Sequence, residues 1–399
     1  MSIWMFELKR QFRQKRTYVS FFLLFFLGVY YTLQVASTFE PIDKINRPVI
    51  STRVAERQTF LENTTVDENT HFYVHYALSV FPIWNKWDQM RLAAIDNHDW
   101  RQYAEATSEW YRFSDEQLFA NDIGVLRYDI PYYLNNNPNA KIDGHYDYQK
   151  NILKYQEFAR YEGEVTAQAL EEKTALQALL RSSETILPMA LLFFFILGIS
   201  DSFTRDQKHE TLLATFPLRK SSRFLAKAAA GLAYGLSLLL PVMACVFLYS
   251  FTHEVGRLDY PVAVYWTSGI EVNFVLSTLG NVLLRCLALY VLFLILGFLF
   301  AFLLNKWFSS QIISAMFSLL LLVSSNFYLV RGGGAYNSWH FFPTSFVSIG
   351  KVVLGRSWFD YYDPRMRFDF GVRILLAWIV SLTGLLLLTY LIEGRRKKC

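Results

Sequence analysis

The sequence predicts an all-α polytopic membrane protein with six transmembrane helices, both termini cytoplasmic, and a largely helical extracytoplasmic domain between spans one and two. Three observations carry that expectation. The chain has 399 residues, 53% of them hydrophobic, and gathers its apolar residues into long uncharged runs. Lysine and arginine are shared unevenly among the segments that join those runs. Residues 40–184 form one long charged and aromatic stretch without a membrane-length run.

A span needs roughly 20 apolar residues. Thr17–Phe39, Ala228–Thr252, Cys286–Asn305, Trp307–Val330 and Ile374–Ile392 contain 23, 25, 20, 24 and 19 uncharged residues. Thr185–Ser200 holds only 16, so it spans if Glu184 and Asp201 reach the two interfaces. The chain then divides into an interfacial helix (1–16), span one (17–39), the extracytoplasmic domain (40–184) and span two (185–203). A cytoplasmic loop (204–224), span three (225–252), an outer loop (253–285) and span four (286–305) follow. Span five (307–330), a second outer loop (331–373), span six (374–393) and a basic tail (394–399) complete it. With the N-terminus inside, the cytoplasmic segments hold sixteen Lys and Arg and the shorter outer loops eight. That bias sets the orientation. The location it implies is the cell membrane, with multiple passes.

Net charge is +5, but residues 40–184 carry −8 and the remainder +13. Basic charge flanking spans is drawn to the anionic inner leaflet, so it is no argument for nucleic acid. Cys245 and Cys286 fall in spans, Cys399 is terminal, and residues 40–184 have no cysteine. A disulfide framework is therefore impossible in that domain, which fits a bacterial surface better than a eukaryotic secretory one.

At the N-terminus Trp4, Leu8 and Phe12 recur every four residues while Lys9, Arg10 and Arg13 fall opposite, the pattern of an interfacial helix. A signal peptide is the competing reading, but an apolar run of 23 is too long for its core. Residues 40–184 contain four Trp and eleven Tyr, enough to bury a core. Asp88–Tyr111 and Lys150–Ser183 read as helical, the second rich in strong helix formers. Continued through span two with a kink at Pro188, Lys150–Ser200 would be a rod of about 75 Å. Glu68, His71 and His75 could share a helical face with a ligand-like spacing, but β-branched and aromatic neighbours fit a strand at least as well, and no further ligand is near. His209-Glu210 lacks the second histidine of a zincin.

Between spans two and three, Leu212, Leu213 and Phe216 share one face of a short helix that Pro217 ends, and Arg219, Lys220, Arg223 and Lys227 follow. Such a helix suits a groove on a cytoplasmic partner. Glu271–Arg285 extends span four as a helix and leaves Arg285 near a span end, where its long side chain can snorkel. In the last outer loop, Thr344 or Ser345 caps an amphipathic helix whose Phe346, Ile349 and Val353 share a face on the outer leaflet, with Gly355 as its stop.

On these residues the chain resembles the membrane subunits of ABC-2 type exporters. The likeness is carried by Glu210, Thr211, Leu212 and Leu213, then by Phe216, Pro217, Leu218 and Arg219, and on to Lys227. Family members have Gly where this chain has Glu210. The long segment after span one is similar to the subgroup of sodium- and peptide-export permeases. The resemblance implies that Glu210, Thr211, Leu212, Leu213, Phe216, Pro217 and Arg219 couple to an ABC ATPase on a partner chain, where ATP and magnesium would sit. It implies a second permease chain, identical or related, exporting a hydrophobic or amphiphilic substrate (a peptide, lipid-like molecule or drug) or an ion, and the uncharged spans suit the hydrophobic or amphiphilic one. No GxxxxGK[ST] occurs in this chain, and no cofactor, metal or catalytic residue is expected on it. A membrane-anchored sensing module and an ion-coupled secondary transporter are the rival readings. Apart from Arg285 the spans lack the charges that the second would use.

Overall fold

The computed structural model describes residues 3–121, 126–208, 220–267, 272–308, 310–328, 339–356 and 365–396. In chain order the α-helices are α1 (Ile3–Phe12), α2 (Lys15–Tyr30), α3 (Arg47–Asn63), α4 (Phe72–Asp96), α5 (Trp100–Asp115) and α6 (Ala140–Arg160). The short α7 (Ala167–Leu170) and α8 (Ala175–Glu184) lead to α9 (Leu187–Lys208), α10 (Lys220–Ser237) and α11 (Leu239–Tyr249). Strands β1 (Pro261–Thr267) and β2 (Val272–Thr278) precede α12 (Leu279–Phe308), α13 (Gln311–Tyr328), α14 (Ile349–Leu354) and α15 (Phe368–Arg396). Two compact units result. An apolar unit comprises Met1–Thr38, Ala178–Thr252 and Val282–Cys399; an aromatic unit comprises Phe39–Gln177 and His253–Asn281.

In the apolar unit, four helical segments among the described residues are long and apolar enough to cross a membrane: Lys15–Ala36, Ser221–Tyr249, Leu279–Phe308 and Phe368–Thr389. The first is α2 continued by a π-helical turn, Tyr31–Ala36. At 22 residues it reaches about 33 Å, just over a hydrocarbon core of about 30 Å. The segment expected as span two belongs to a pair of helices bent by 67° at the break before Leu187, and the apolar part of α13 is shorter, Ile312–Ser325.

The centre of this unit is where α9, α10 and α12 meet. Tyr234 and Phe195 are fully buried, their rings stacked 6.5 Å apart, and the Tyr234 hydroxyl donates to Phe194 O at 3.2 Å. Gly198 permits this contact, since a Cβ there would lie 2.3 Å from the Tyr234 ring. From α12, the Tyr290 hydroxyl donates 2.8 Å to Gly235 O. These carbonyls give the buried phenol hydroxyls the acceptors whose absence would be costly away from water.

The aromatic unit is a sequential stack in which α3 packs on α4, α4 on α5, and α5 on α6. Its local signals are strong. Asn46 accepts from Val49 N to cap α3, with Pro48 in the first turn, and Asp99 accepts from Gln102 N to cap α5. Helix α5 is the middle layer. Tyr103, Ala104, Ala106, Thr107 and Tyr111 are buried around much of its circumference.

Several expectations change here. Residues 253–285 are not a loop followed by an early helix. Pro261–Thr267 and Val272–Thr278 form an antiparallel hairpin, with Tyr265 opposite Phe274, and α12 starts at Leu279 instead of Glu271. The alternation of β-branched and aromatic residues explains it. The hairpin packs on α6, so the folded unit needs a second chain segment beyond residues 40–184. The join is tight. Glu254 O accepts from Ala175 N at 2.8 Å, its carboxylate accepts from Thr166, and Tyr260 meets the rings of Phe158 and Tyr161.

The long rod is absent as well. The helical chain stops at Arg160, resumes as α7 and α8, and turns again before α9. Pro188 lies in the first turn of α9, where a missing N–H costs nothing, so it starts a helix and does not kink one. The 88–111 helix is split at Asn97–Asp99, where His98 takes a positive φ of 54°. His75 is helical, and His71, itself extended, caps α4 through Nδ1, which accepts from Tyr73 N.

Candidate functional site

Two cavities flank the α9–α10–α12 centre of the apolar unit. One, about 530 Å³, lies between α10, α12 and α15 and is lined by side chains that include Phe224, Leu232, Phe298, Phe302, Thr383 and Leu387. The other, about 420 Å³, lies between α9, α12, α13 and α15, with Leu192, Phe293, Leu321, Phe342, Val347 and Trp378 in its wall. No charged side chain lines either one, and the polar groups are hydroxyls such as Ser221, Thr383, Ser324 and Thr344. Walls of this kind suit alkyl chains or apolar faces, each buried methylene contributing about 0.8 kcal/mol. They offer nothing for acid–base work.

The N-terminal expectation falls on α1. Phe12 stacks on Phe21 at 6.5 Å and meets Tyr234 edge-on at 6.4 Å, Leu8 is half-buried, and Trp4 is exposed. Helix α1 therefore packs on α10 along the Phe12 side. Gln11 adds a bond from Nε2 to Gly198 O on α9, 3.0 Å long.

Glu210, Thr211, Leu212, Leu213, Phe216, Pro217 and Arg219 all lie outside the described residues. The helices on either side are described, and they run further than expected. Helix α9 reaches Lys208 and α10 begins at Lys220, leaving eleven residues between them.

The outer residues Phe346, Ile349 and Val353 are brought together, with exposures of 0%, 3% and 1%. Their surroundings are protein. Phe346 lies 6.1 Å from the Phe370 ring, and Val352 and Leu354 are buried too, so α14 is apolar nearly all round. Neither Thr344 nor Ser345 caps it. Both belong to the 3₁₀ turn Pro343–Phe346, and α14 begins at Ile349. Gly355 ends α14 with φ 76°, a conformation in which a Cβ would be strained. Arg285 is half-buried in α12, with its guanidinium 5.5 Å from the Phe368 ring.

The aromatic unit contains a polar centre that sequence reasoning missed. Asp88 is fully buried and accepts from Arg53 at 2.9 and 3.1 Å, from Arg57 at 2.9 Å and from Arg91 at 3.3 Å. Arg91, 2% exposed, also donates to Asp43 at 3.1 Å and to the Tyr103 hydroxyl at 2.9 Å. Burial alone would lower the Arg91 guanidinium, but Tyr103, Asp43 and Asp88 outweigh it and hold it well above its ordinary value. Trp84 and Trp110 cover the arginines with ring faces about 5 Å away. The only sequence trace of this centre is Arg53 and Arg57 four apart beside Asp88 and Arg91 three apart. Nothing in the sequence says that the two pairs face each other.

A second polar group joins Asp115 to His145 Nδ1 at 2.9 Å, with Tyr128 and Gln149 also donating to Asp115. His145 stacks on Phe119 at 3.8 Å. No hydroxyl or thiol is bonded to His145 among the described residues, so the pair has no nucleophile to activate. The chain matches no family model, no curated protein and no solved structure.

Proposed function

We propose that this chain is the membrane subunit of an ATP-driven exporter of the ABC-2 type, with six spans and both termini in the cytoplasm. Its spans would be α2, α9 with the bent helix before it, α10–α11, α12, α13 and α15. A separate ATPase would bind ATP and magnesium and dock on Leu212, Leu213 and Phe216. A second permease chain, identical or related, would complete the membrane core.

The observation that carries the reading is mechanical. Helices α9 and α10, which flank residues 209–219, are held to each other through Gly198 and Tyr234, and both are held to α1 through Gln11 and Phe12. A force applied between Lys208 and Lys220 would move all three as a body, the rigid-body mode by which a bound partner can drive a membrane subunit. The two uncharged cavities suit a hydrophobic or amphiphilic cargo such as a peptide, a lipid-like molecule or a drug.

The test is the double variant Leu213→Asp/Phe216→Asp. It is expected to abolish co-purification of the ATPase while membrane insertion and elution volume stay unchanged. Undiminished co-purification would remove the reading. A second reading, a membrane-anchored binding or sensing module, is favoured by the investment of two separate chain segments in the aromatic unit. In that case the double variant would lose no partner, and a kinase or protease would be recovered in place of an ATPase.

A further inference from the structure

We propose that the bend between α1 and α2 is a binding site for one anionic glycerophospholipid with a hydroxylated headgroup. A cavity of about 530 Å³ opens there, lined by Phe6, Lys9, Arg10, Arg13, Gln14, Lys15 and Arg16. Five cations in one small concavity repel one another. Arg10 is paired with Glu7 at 2.9 Å, whereas Lys9, Arg13, Lys15 and Arg16 have no carboxylate within reach among the described residues. Ordinary solvation would suffice if these side chains diverged into water. They converge, and an anion between them relieves the repulsion that convergence creates.

Three further features narrow the occupant. First, Gln14 is 8% exposed and lines the cavity, yet its Oε1 has no hydrogen-bond partner. An acceptor left bare beside a basic cavity asks for a donor, which a phosphate oxygen is not and a headgroup hydroxyl is. Second, Gln14 is extended (φ −75°, ψ 136°) and makes no side-chain cap, so the N–H groups of Lys15 and Arg16 that open α2 have no side-chain cap from it. Uncapped N–H groups favour a phosphate. Third, Phe6 lines the cavity, and the two helices that form it expose further apolar side chains: Met5 on α1, Tyr18, Phe22 and Phe26 on α2. A free phosphate has no use for that surface, whereas two acyl chains do.

The frame that presents the site is fixed. Thr17 Oγ1 donates 2.8 Å to Gln11 O across the bend, and Gln11 Nε2 holds Gly198 O. The site therefore exists before any lipid arrives. It depends on α2 entering a membrane but not on an ATPase, so its failure and that of the exporter reading are separable.

The experiment is native mass spectrometry of the purified full chain with added phosphatidylglycerol, phosphatidic acid or phosphatidylcholine. One phosphatidylglycerol is expected to bind at least tenfold more tightly than phosphatidylcholine. The Arg13→Gln/Arg16→Gln variant should lose that preference, and Arg13→Lys/Arg16→Lys should retain most of it, which separates lost charge from a misfolded bend. Gln14→Leu should remove the preference for phosphatidylglycerol over phosphatidic acid. Lys397→Gln/Lys398→Gln, which neutralises charge elsewhere, should change nothing. Equal binding of charged and zwitterionic lipid overturns the proposal, as does an undiminished preference in the glutamine variant. Displacement of the lipid by millimolar glycerol phosphate would assign the cavity to a soluble anion instead, and that also overturns it.

Discussion

The two units differ in how they pair buried charges and short polar side chains. In the aromatic unit, one network runs between elements far apart in sequence, with Asp88 of α4 held by Arg53 and Arg57 of α3 and Arg91 tied to Asp43 and Tyr103. In the apolar unit, several buried polar side chains return to their own helix. Ser318 donates to Ser314 O at 2.9 Å, Ser200 to Leu197 O at 3.1 Å, and Asn305 Nδ2 to Ala301 O at 2.8 Å. The surfaces differ as sharply. On α13, Ile312, Met316 and Leu320 form an exposed row, each more than 60% exposed, opposite the buried Ser314 and Ser318. The lesson concerns solvent. A helix in hydrocarbon must satisfy its backbone polar groups within itself, whereas charges buried among several packed elements can be paired through tertiary contacts.

The largest expected effect that would break this comparison is in the ion network. Asp88→Ala leaves three guanidinium groups around an empty acceptor, and removing one partner of a buried pair costs about 3–5 kcal/mol. Thermal unfolding followed by Trp84 and Trp110 fluorescence should show that loss, and a loss below about 1 kcal/mol would mean that water replaces the carboxylate. Next is Gly198→Val in the apolar unit. Overpacking of this kind costs about 1–3 kcal/mol, and Tyr234→Ala in the same chain should recover part of it, read as detergent-solubilised melting temperature. Full additivity of the two changes would show that the contact does not hold α9 to α10.

The smallest effect is silent at neutral pH and sharpens the contrast in alkali. Burial raises the hydroxyls of Tyr103, Tyr111, Tyr148 and Tyr155, and burial with the Asp259 carboxylate pushes Tyr161 up to about 12. Groups with raised folded values contribute stability that is complete below the unfolded tyrosine value near 10 and is lost as pH rises through the folded values. The melting temperature of the aromatic unit should therefore hold to about pH 10 and then fall, in step with tyrosinate absorbance near 295 nm. A flat profile to pH 12 would show that these phenols are already as accessible as in the unfolded chain.

Much of the apolar unit was legible before any coordinates, because each signal there is local. The 23-residue run at Thr17 and the charges that bound it define α2, and the four-residue recurrence of Trp4, Leu8 and Phe12 defines α1. Gly355 stops α14 by a conformational preference that needs no neighbour. The hairpin was written in PVAVYWT and VNFVLST but was hidden by the apolar run that follows it.

What the sequence could not state is which segments share a core. It determined by itself where helices are apolar enough to cross a membrane, since that follows from length and composition over some 20 residues. Only the tertiary structure decided that residues 253–281 complete the aromatic unit, that Lys150–Ser200 is broken three times, and that Asp88 gathers Arg53, Arg57 and Arg91. The physical reason is range. Hydrophobic burial and helix capping act within a turn or two, while a buried charge selects partners in space, 31 to 35 residues away in the chain, where no periodicity can announce them.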